Sequence, residues 1–195
     1  MTREDQKAQR RQRILANALE LFVKNGYSET KIGDIAKASN MSVGLMFHYF
    51  ESKEQLYAEL VKMGVEGTNF PLEMNFQNPL DYFKGFLDAL FQYVLAEPRV
   101  LYMFVLMSQA RRSGGAPAYI RDLACSVNQI QQSAEIIEAG QKYGYFRDGN
   151  PKALALAFWS SIQGVMEQLA VSPELIANGD IPQSDWFIDI IRGEK

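Results

Sequence analysis

IGDIAKASNMSVGLMFHYFESKEQL, residues 32–56, is the stretch whose reading decides the fold of this 195-residue chain. Ile32, Ile35 and Ala36 recur at helical spacing while Lys31, Asp34 and Lys37 fall on other faces, which predicts a short amphipathic helix ending near Ser39. Asn40 then stands where the chain must turn, and asparagine tolerates a left-handed backbone at little cost. Ser42 is placed to cap a second helix through its hydroxyl, and Met46, Phe47 and Phe50 supply that helix with a buried side. Gly44 lets its first turn approach a partner closely. A helix, a tight turn and a second helix with an exposed start make a helix-turn-helix unit, a shape that fits a DNA groove.

Working outward, a first helix is expected over residues 7–25, burying Ile14, Leu15, Ala18, Leu19 and Phe22, with Gly26 as its C-terminal cap. A fourth begins at Ser52-Lys53-Glu54-Gln55, a capping box, and runs to about Glu66. Gly64 and Gly67 weaken its far end.

From about Arg13 to Leu56 the chain resembles the DNA-binding domain of the TetR family of bacterial transcriptional regulators. Ile14, Ala18, Leu21, Phe22, Gly26, Tyr27 and Thr30 are similar to the family's first helix and following loop, and Ile35, Ala36 and Lys37 to its second helix. Ser42, Gly44, His48, Tyr49, Phe50, Lys53 and Leu56 match its third helix and the start of its fourth. The departures fall at Asn40 (usually Gly), Ser39 (usually Ala), Val43 and Leu45 (often polar) and Phe47 (most often Tyr). The resemblance implies phosphate contacts from Thr30, Lys31, Tyr49 and Lys53. It places Ser42, Val43, Gly44, Leu45, Phe47 and His48 toward the major groove. Val43 and Leu45 have no hydrogen-bonding side chain, but each can pack on a thymine methyl group, and His48 can bond a base edge or a phosphate.

Composition narrows the alternatives. One cysteine, Cys125, and one histidine leave no intrachain disulfide and no ordinary zinc site, so no metal or cofactor is implied and a reduced cytoplasm fits. No nucleophile, metal or phosphate-loop constellation is present, and an enzyme is not expected. Apolar runs are too short to span a bilayer, and the charged start lacks a signal peptide's apolar stretch. The net charge of −3 is unevenly spread. Residues 1–60 hold nine Lys or Arg against eight Asp or Glu, and Arg3, Lys7, Arg10, Arg11 and Arg13 face only Glu4 and Asp5. That leading arm can reach phosphates or a minor groove, or remain a frayed terminus.

Beyond a loop at 68–77, Asn78-Pro79, Asn150-Pro151 and Ser172-Pro173 each open a new helix. Ile120, Leu123, Val127, Ile130, Ala134 and Ile137 form a seam within one helix expected over residues 119–143. The next, residues 152–171, is apolar almost all round, which requires burial on more than one side. In the family two long helices near the C-terminus pair with their symmetry mates, and these two segments are the candidates. Phe158, Ser161, Ile162, Gly164 and Val165 are the interface residues expected. The second part is rich in aromatic and thioether side chains, Phe70 and Phe76 among them, suited to an apolar or aromatic guest. Tyr82, Phe86, Tyr102, Phe104, Met107, Asn128, Trp159 and Gln163 are the ligand candidates, against the plainer reading that helical spacing of aromatics means core.

The expectation is an all-α chain: an N-terminal three-helix helix-turn-helix domain (1–60) and a larger C-terminal helical domain (61–195) for ligand binding and dimerisation. The function implied is a cytoplasmic homodimeric regulator, a repressor released from a double-stranded DNA operator by a small-molecule effector. The alternatives are a regulator whose ligand is a co-repressor, and a helical ligand-binding protein whose DNA-binding domain is degenerate.

Overall fold

Residues 2–69, 78–112 and 115–194 are described in the computed structural model, and they are helical without a strand. The helices are α1 (Arg3–Glu29), α2 (Ile32–Ala38), α3 (Val43–Met46), α4 (Lys53–Asn69), α5 (Pro79–Ala96) and α6 (Val100–Arg111). They continue as α7 (Ala118–Cys125), α8 (Gln129–Gln141), α9 (Pro151–Val171), α10 (Glu174–Asn178) and α11 (Ser184–Ile188). Among the described residues no single helix is long and apolar enough to cross a membrane.

The chain divides into two compact units, Met1–Glu66 with Val105–Ser126, and Gly67–Phe104 with Val127–Lys195. This differs from a simple division at residue 60. The stretch from Val105 joins the N-terminal residues because Leu106, Ala110, Ile120 and Ala124 are buried, and because the Gln109 amide donates to the Val23 carbonyl at 3.1 Å. Gly115, with φ +82°, lies so close to Ser28 that a Cβ there would collide with its side chain.

In the first unit α1 starts earlier than residue 7, since Thr2 caps it: Thr2 Oγ1 accepts from the Asp5 amide at 3.1 Å, and the Asp5 carboxylate accepts from the Thr2 amide at 2.7 Å. Gly26, at φ +79°, breaks the helical path where a cap was expected, although one more turn follows it. Ile14, Ala18 and Phe22 of α1 are fully buried with Ile35, Met46 and Leu56, and Phe22 meets Tyr57 edge-on at 4.8 Å. The box opening α4 is displaced by one residue: Gln55 donates its amide to Ser52 Oγ, but its side-chain oxygen takes the Glu51 amide at 2.6 Å. Gly64 and Gly67 do not end α4, which runs on to Asn69. Of the loop expected at 68–77, Thr68 and Asn69 are therefore helical, and Phe70 and Phe76 lie outside the described residues.

In the second unit Asn78 and Asn150 cap α5 and α9 as expected, accepting from the Leu80 and Ala153 amides. Phe83 lies at the core, edge-on to Tyr82, Phe146 and Phe158 at 5.2, 5.7 and 5.2 Å. α8 packs along α9, and α11 closes over α5, tied by Ser184 to Asp88 and by Lys84 to Asp185 at 2.9 Å. The single helix expected over residues 119–143 is two. Ser126 turns its hydroxyl back to the Leu123 carbonyl at 2.7 Å, ending α7, and α8 begins after Asn128. The heptad-like seam thus spans a break, with Ile120 in one unit and Ala134 and Ile137 in the other.

Candidate nucleic-acid interface

The reading segment is built from α2, the four residues Ser39 to Ser42 that turn the chain, and α3. Asn40 carries the turn at φ 55°, and the Met41 amide donates to the Ala36 carbonyl at 3.0 Å. Ser39 is buried at the turn, and its hydroxyl accepts from the Asn17 amide at 3.1 Å while the same amide donates to the Ala38 carbonyl at 3.2 Å. Asn17 thereby pins the end of α2 to α1. Sequence reasoning passed over it; its one signal is a poor helix former in mid-helix.

Ser42 caps α3 as expected, accepting from the Leu45 amide at 3.2 Å. Met46 and Phe50 are buried and anchor the segment inward. Arg11 holds its far end, with the guanidinium 5.0 Å from the Phe50 ring centre and 2.8 Å from the Glu59 carboxylate. What remains faces outward. Val43, Leu45 and Phe47 are 40%, 37% and 48% exposed, and Ser42, Gly44 and His48 are exposed beside them. Phe47, counted with the buried side by its spacing, stands on the open side instead. Large apolar groups left open to water at the tip of a well-capped segment are unusual unless a partner covers them.

The residues expected at phosphates divide. Lys31 is exposed and Tyr49 half-buried, and both stay at the rim. Thr30 is fully buried, its hydroxyl donating to the Gly26 carbonyl at 2.7 Å and lying 3.2 Å from the Leu21 carbonyl, so it closes α1 and does not present itself to DNA. Lys53 is turned inward as well. Its ammonium donates to the Tyr27 and Ser28 carbonyls at 2.7 and 3.3 Å and lies 4.3 Å from the Tyr27 ring centre, which ties α4 to the end of α1.

The ligand candidates are only partly brought together. Met107 packs in the first unit, whereas Tyr82, Phe86, Tyr102, Phe104, Trp159 and Gln163 belong to the second. Phe86 meets Trp159 at 5.2 Å, the Trp159 indole donates to Ser133 Oγ at 2.8 Å, and the Gln163 amide donates to the Phe104 carbonyl at 3.1 Å and to Glu167 at 2.7 Å. Asn128 is exposed at the start of α8. Burial holds the Tyr82 phenol up to about 12. These polar groups satisfy one another, and the aromatics fill the interior.

The interface candidates on α9 are out of phase with its open face. Phe158 and Ile162 are buried in the unit's own core, Val165 is half-buried against it, and Ser161 donates to the Phe158 carbonyl. Gly164 alone of the five is exposed, with nothing within 4 Å of where a Cβ would stand. The face it shares carries Ala153, Leu156, Ala157, Ser160 and Val171, all exposed.

The bacterial TetR-family regulatory-protein model matches residues 14–60, which contain the whole reading segment. The biofilm operon negative transcriptional regulator IcaR of Staphylococcus aureus (strain Newman) is 32% identical over 124 residues, covering 60% of this chain and 64% of the relative. The match thus spans less than two thirds of that relative's length. Among solved structures, a TetR-family transcriptional regulator from Agrobacterium tumefaciens superposes with TM-score 0.72 at 18% identity, over 95% of this chain and 99% of the other. AibR, solved in complex with isovaleryl coenzyme A and operator DNA, superposes with TM-score 0.66 at 16% identity, over 92% and 94%. These likenesses show a shared fold across nearly the whole chain, and IcaR and the Agrobacterium protein are named transcriptional regulators. From the capped helix-turn-helix segment and the matched residues, residues 14–60 are similar to the DNA-binding domain of bacterial TetR-family regulatory proteins, and the chain shares the fold of solved members of that family.

Proposed function

We propose that this chain is a cytoplasmic transcriptional repressor that binds a near-palindromic DNA operator as a homodimer and releases it when a small, mainly apolar or aromatic effector binds the C-terminal unit. The observation that carries the DNA reading is the α2–turn–α3 segment, rigidly capped and pinned yet exposing Val43, Leu45, Phe47 and His48. Lys31 and Tyr49 at its rim are the phosphate contacts, and Ser42, Val43, Gly44, Leu45, Phe47 and His48 face the groove. IcaR is named a negative regulator, which favours repression.

One short segment reads too few base pairs to select a site in a genome, so two copies are needed. The open, small-residue face of α9 through Gly164 is the surface offered for pairing, in place of Phe158 and Ile162. For the effector, AibR's bound isovaleryl coenzyme A supports a small-molecule role. Here Phe86, Phe104, Trp159 and Gln163 are the residues a guest would displace, opening a packed interior. A guest a hundredfold tighter on a misaligned state supplies about 2.7 kcal/mol of bias.

The test is selection of genomic fragments by the purified chain, followed by release with a panel of small molecules. Enrichment of an inverted repeat that is released by an apolar compound supports the proposal. The exposed apolar trio also favours a second reading, a ligand-binding protein with a degenerate DNA-binding domain. That reading predicts ligand binding with no salt-dependent affinity for any duplex.

A further inference from the structure

The first turns of α1 carry more positive charge than folding uses. Arg3, Lys7, Arg10 and Arg13 are exposed and form no ion pair or hydrogen bond among the described residues, whereas Arg11 is committed to Glu59 and Phe50. This stretch precedes residue 14, where the family match begins. It is a capped helix and not a frayed tail, with Thr2 and Asp5 exchanging hydrogen bonds across its start. Asp5 is consumed by that cap.

Two ties place the charge beside the reading segment. Asn17 of α1 holds the end of α2 through Ala38 and Ser39, and Arg11 of α1 lies over Phe50, just beyond α3. Residues 11–17 of α1 therefore lie along the stretch from the end of α2 to Phe50, within which α3 falls. At about 100° per residue, Arg10 and Arg13 share the flank of the helix that carries Asn17, with Arg3 close to the same line and Lys7 at its edge. Glu4 falls on the opposite side. From Arg13 out to Arg3 the helix rises about 15 Å, enough to follow several phosphates of a duplex.

We propose that this flank is a backbone clamp: Arg13 and Arg10, with Lys7 and Arg3 beyond them, bind duplex phosphates beside the groove that α3 enters. The clamp rests on the DNA reading above and adds to it a contact that is independent of sequence. Held on a helix, the backbone positions of these residues keep a fixed spacing, so binding orders their side chains but not the main chain, which a disordered arm would also have to order.

The test measures affinity for a mixed-sequence DNA duplex, and for the selected operator, as a function of salt. The variants are Arg10→Gln/Arg13→Gln, the same pair with Arg3→Gln/Lys7→Gln, and Arg11→Gln, each checked for helicity by circular dichroism. The double variant should lower the slope of log K against log salt by about 1.8 per bound protomer, with the fourfold variant lowering it further. Preference among operator variants should not change, and Arg11→Gln should keep the wild-type slope. A wild-type slope in the folded double variant overturns the clamp while leaving the DNA reading intact, and an equal fall in Arg11→Gln overturns it too. Failure of the wild-type chain to bind any duplex removes both.

Discussion

Leu45 and Lys53 show how differently two residues of one matched motif can be used. Leu45 points outward without a partner, and the only chemistry it offers a base edge is contact with a thymine methyl. Replacing the contacted thymine by deoxyuridine in a selected operator should weaken binding about fourfold per methyl, the value of one buried carbon, with unchanged affinity for a site lacking that thymine. Titration of the paired duplexes by fluorescence anisotropy checks this. Lys53 behaves as a structural cation, bonded to the carbonyls of Tyr27 and Ser28. Lys53→Met should therefore destabilise the chain by roughly 1–3 kcal/mol in urea unfolding and leave the salt slope of DNA binding unchanged. A slope lower by about one unit would instead make Lys53 a phosphate contact. Sequence resemblance identified both positions but not the direction in which either side chain turns. Direction depends on partners far along the chain, as with Thr30, whose hydroxyl is spent on α1 carbonyls.

At the scale of elements, the local chemistry was legible where it is local. Ser42, Asn78 and Asn150 cap their helices, Asn40 takes the left-handed turn, and Gly26 breaks α1. Asn40→Ala should cost about 1–2 kcal/mol of stability, and Asn40→Gly much less, because alanine keeps the Cβ but loses the short polar side chain that lets asparagine tolerate the left-handed region, whereas glycine has no Cβ. Thermal or urea unfolding of the two variants distinguishes them. The break between α7 and α8 was not legible, since apolar spacing continues across it while the hydrogen bonding does not. The phase of α9 was hidden for a related reason: a helix apolar on every side gives periodicity no face to choose. Tyr57 on α4 offers a pH test of packing around α1. Burial, with a smaller contribution from Tyr27, raises its phenol to about 12. A raised phenol contributes stability that is complete below the unfolded value near 10 and is lost as pH rises from there through about 12. Stability of the Tyr57→Phe variant should therefore fall less steeply over that range, as read by urea unfolding at stepped pH.

For the molecule as a whole, the proposed function has two reading segments acting together. Nothing lies within 4 Å of where a Cβ of Gly164 would stand, so Gly164→Arg should place a charge in the proposed pairing surface with no clash inside its own unit. Analytical ultracentrifugation should then show a single subunit where the proposal expects a wild-type dimer, with operator affinity falling at least a hundredfold while weak non-specific binding persists. A dimer retained in Gly164→Arg would move the interface elsewhere. The helix-turn-helix unit was legible from residues 32–56, and the all-helical architecture from the helical spacing and caps that recur along the chain. The division into units was not, because Val105–Ser126 joins the N-terminal residues through contacts distant in sequence, such as Gln109 to Val23.

The most direct measurement of the central claim is a hydroxyl-radical footprint of the purified chain on its selected operator at low ionic strength. Two sets of protected backbone positions flanking successive major grooves, centred about 34–36 Å apart and related by a twofold axis, are the result the account predicts. Protection of a single set, or of none on any duplex offered, would contradict it.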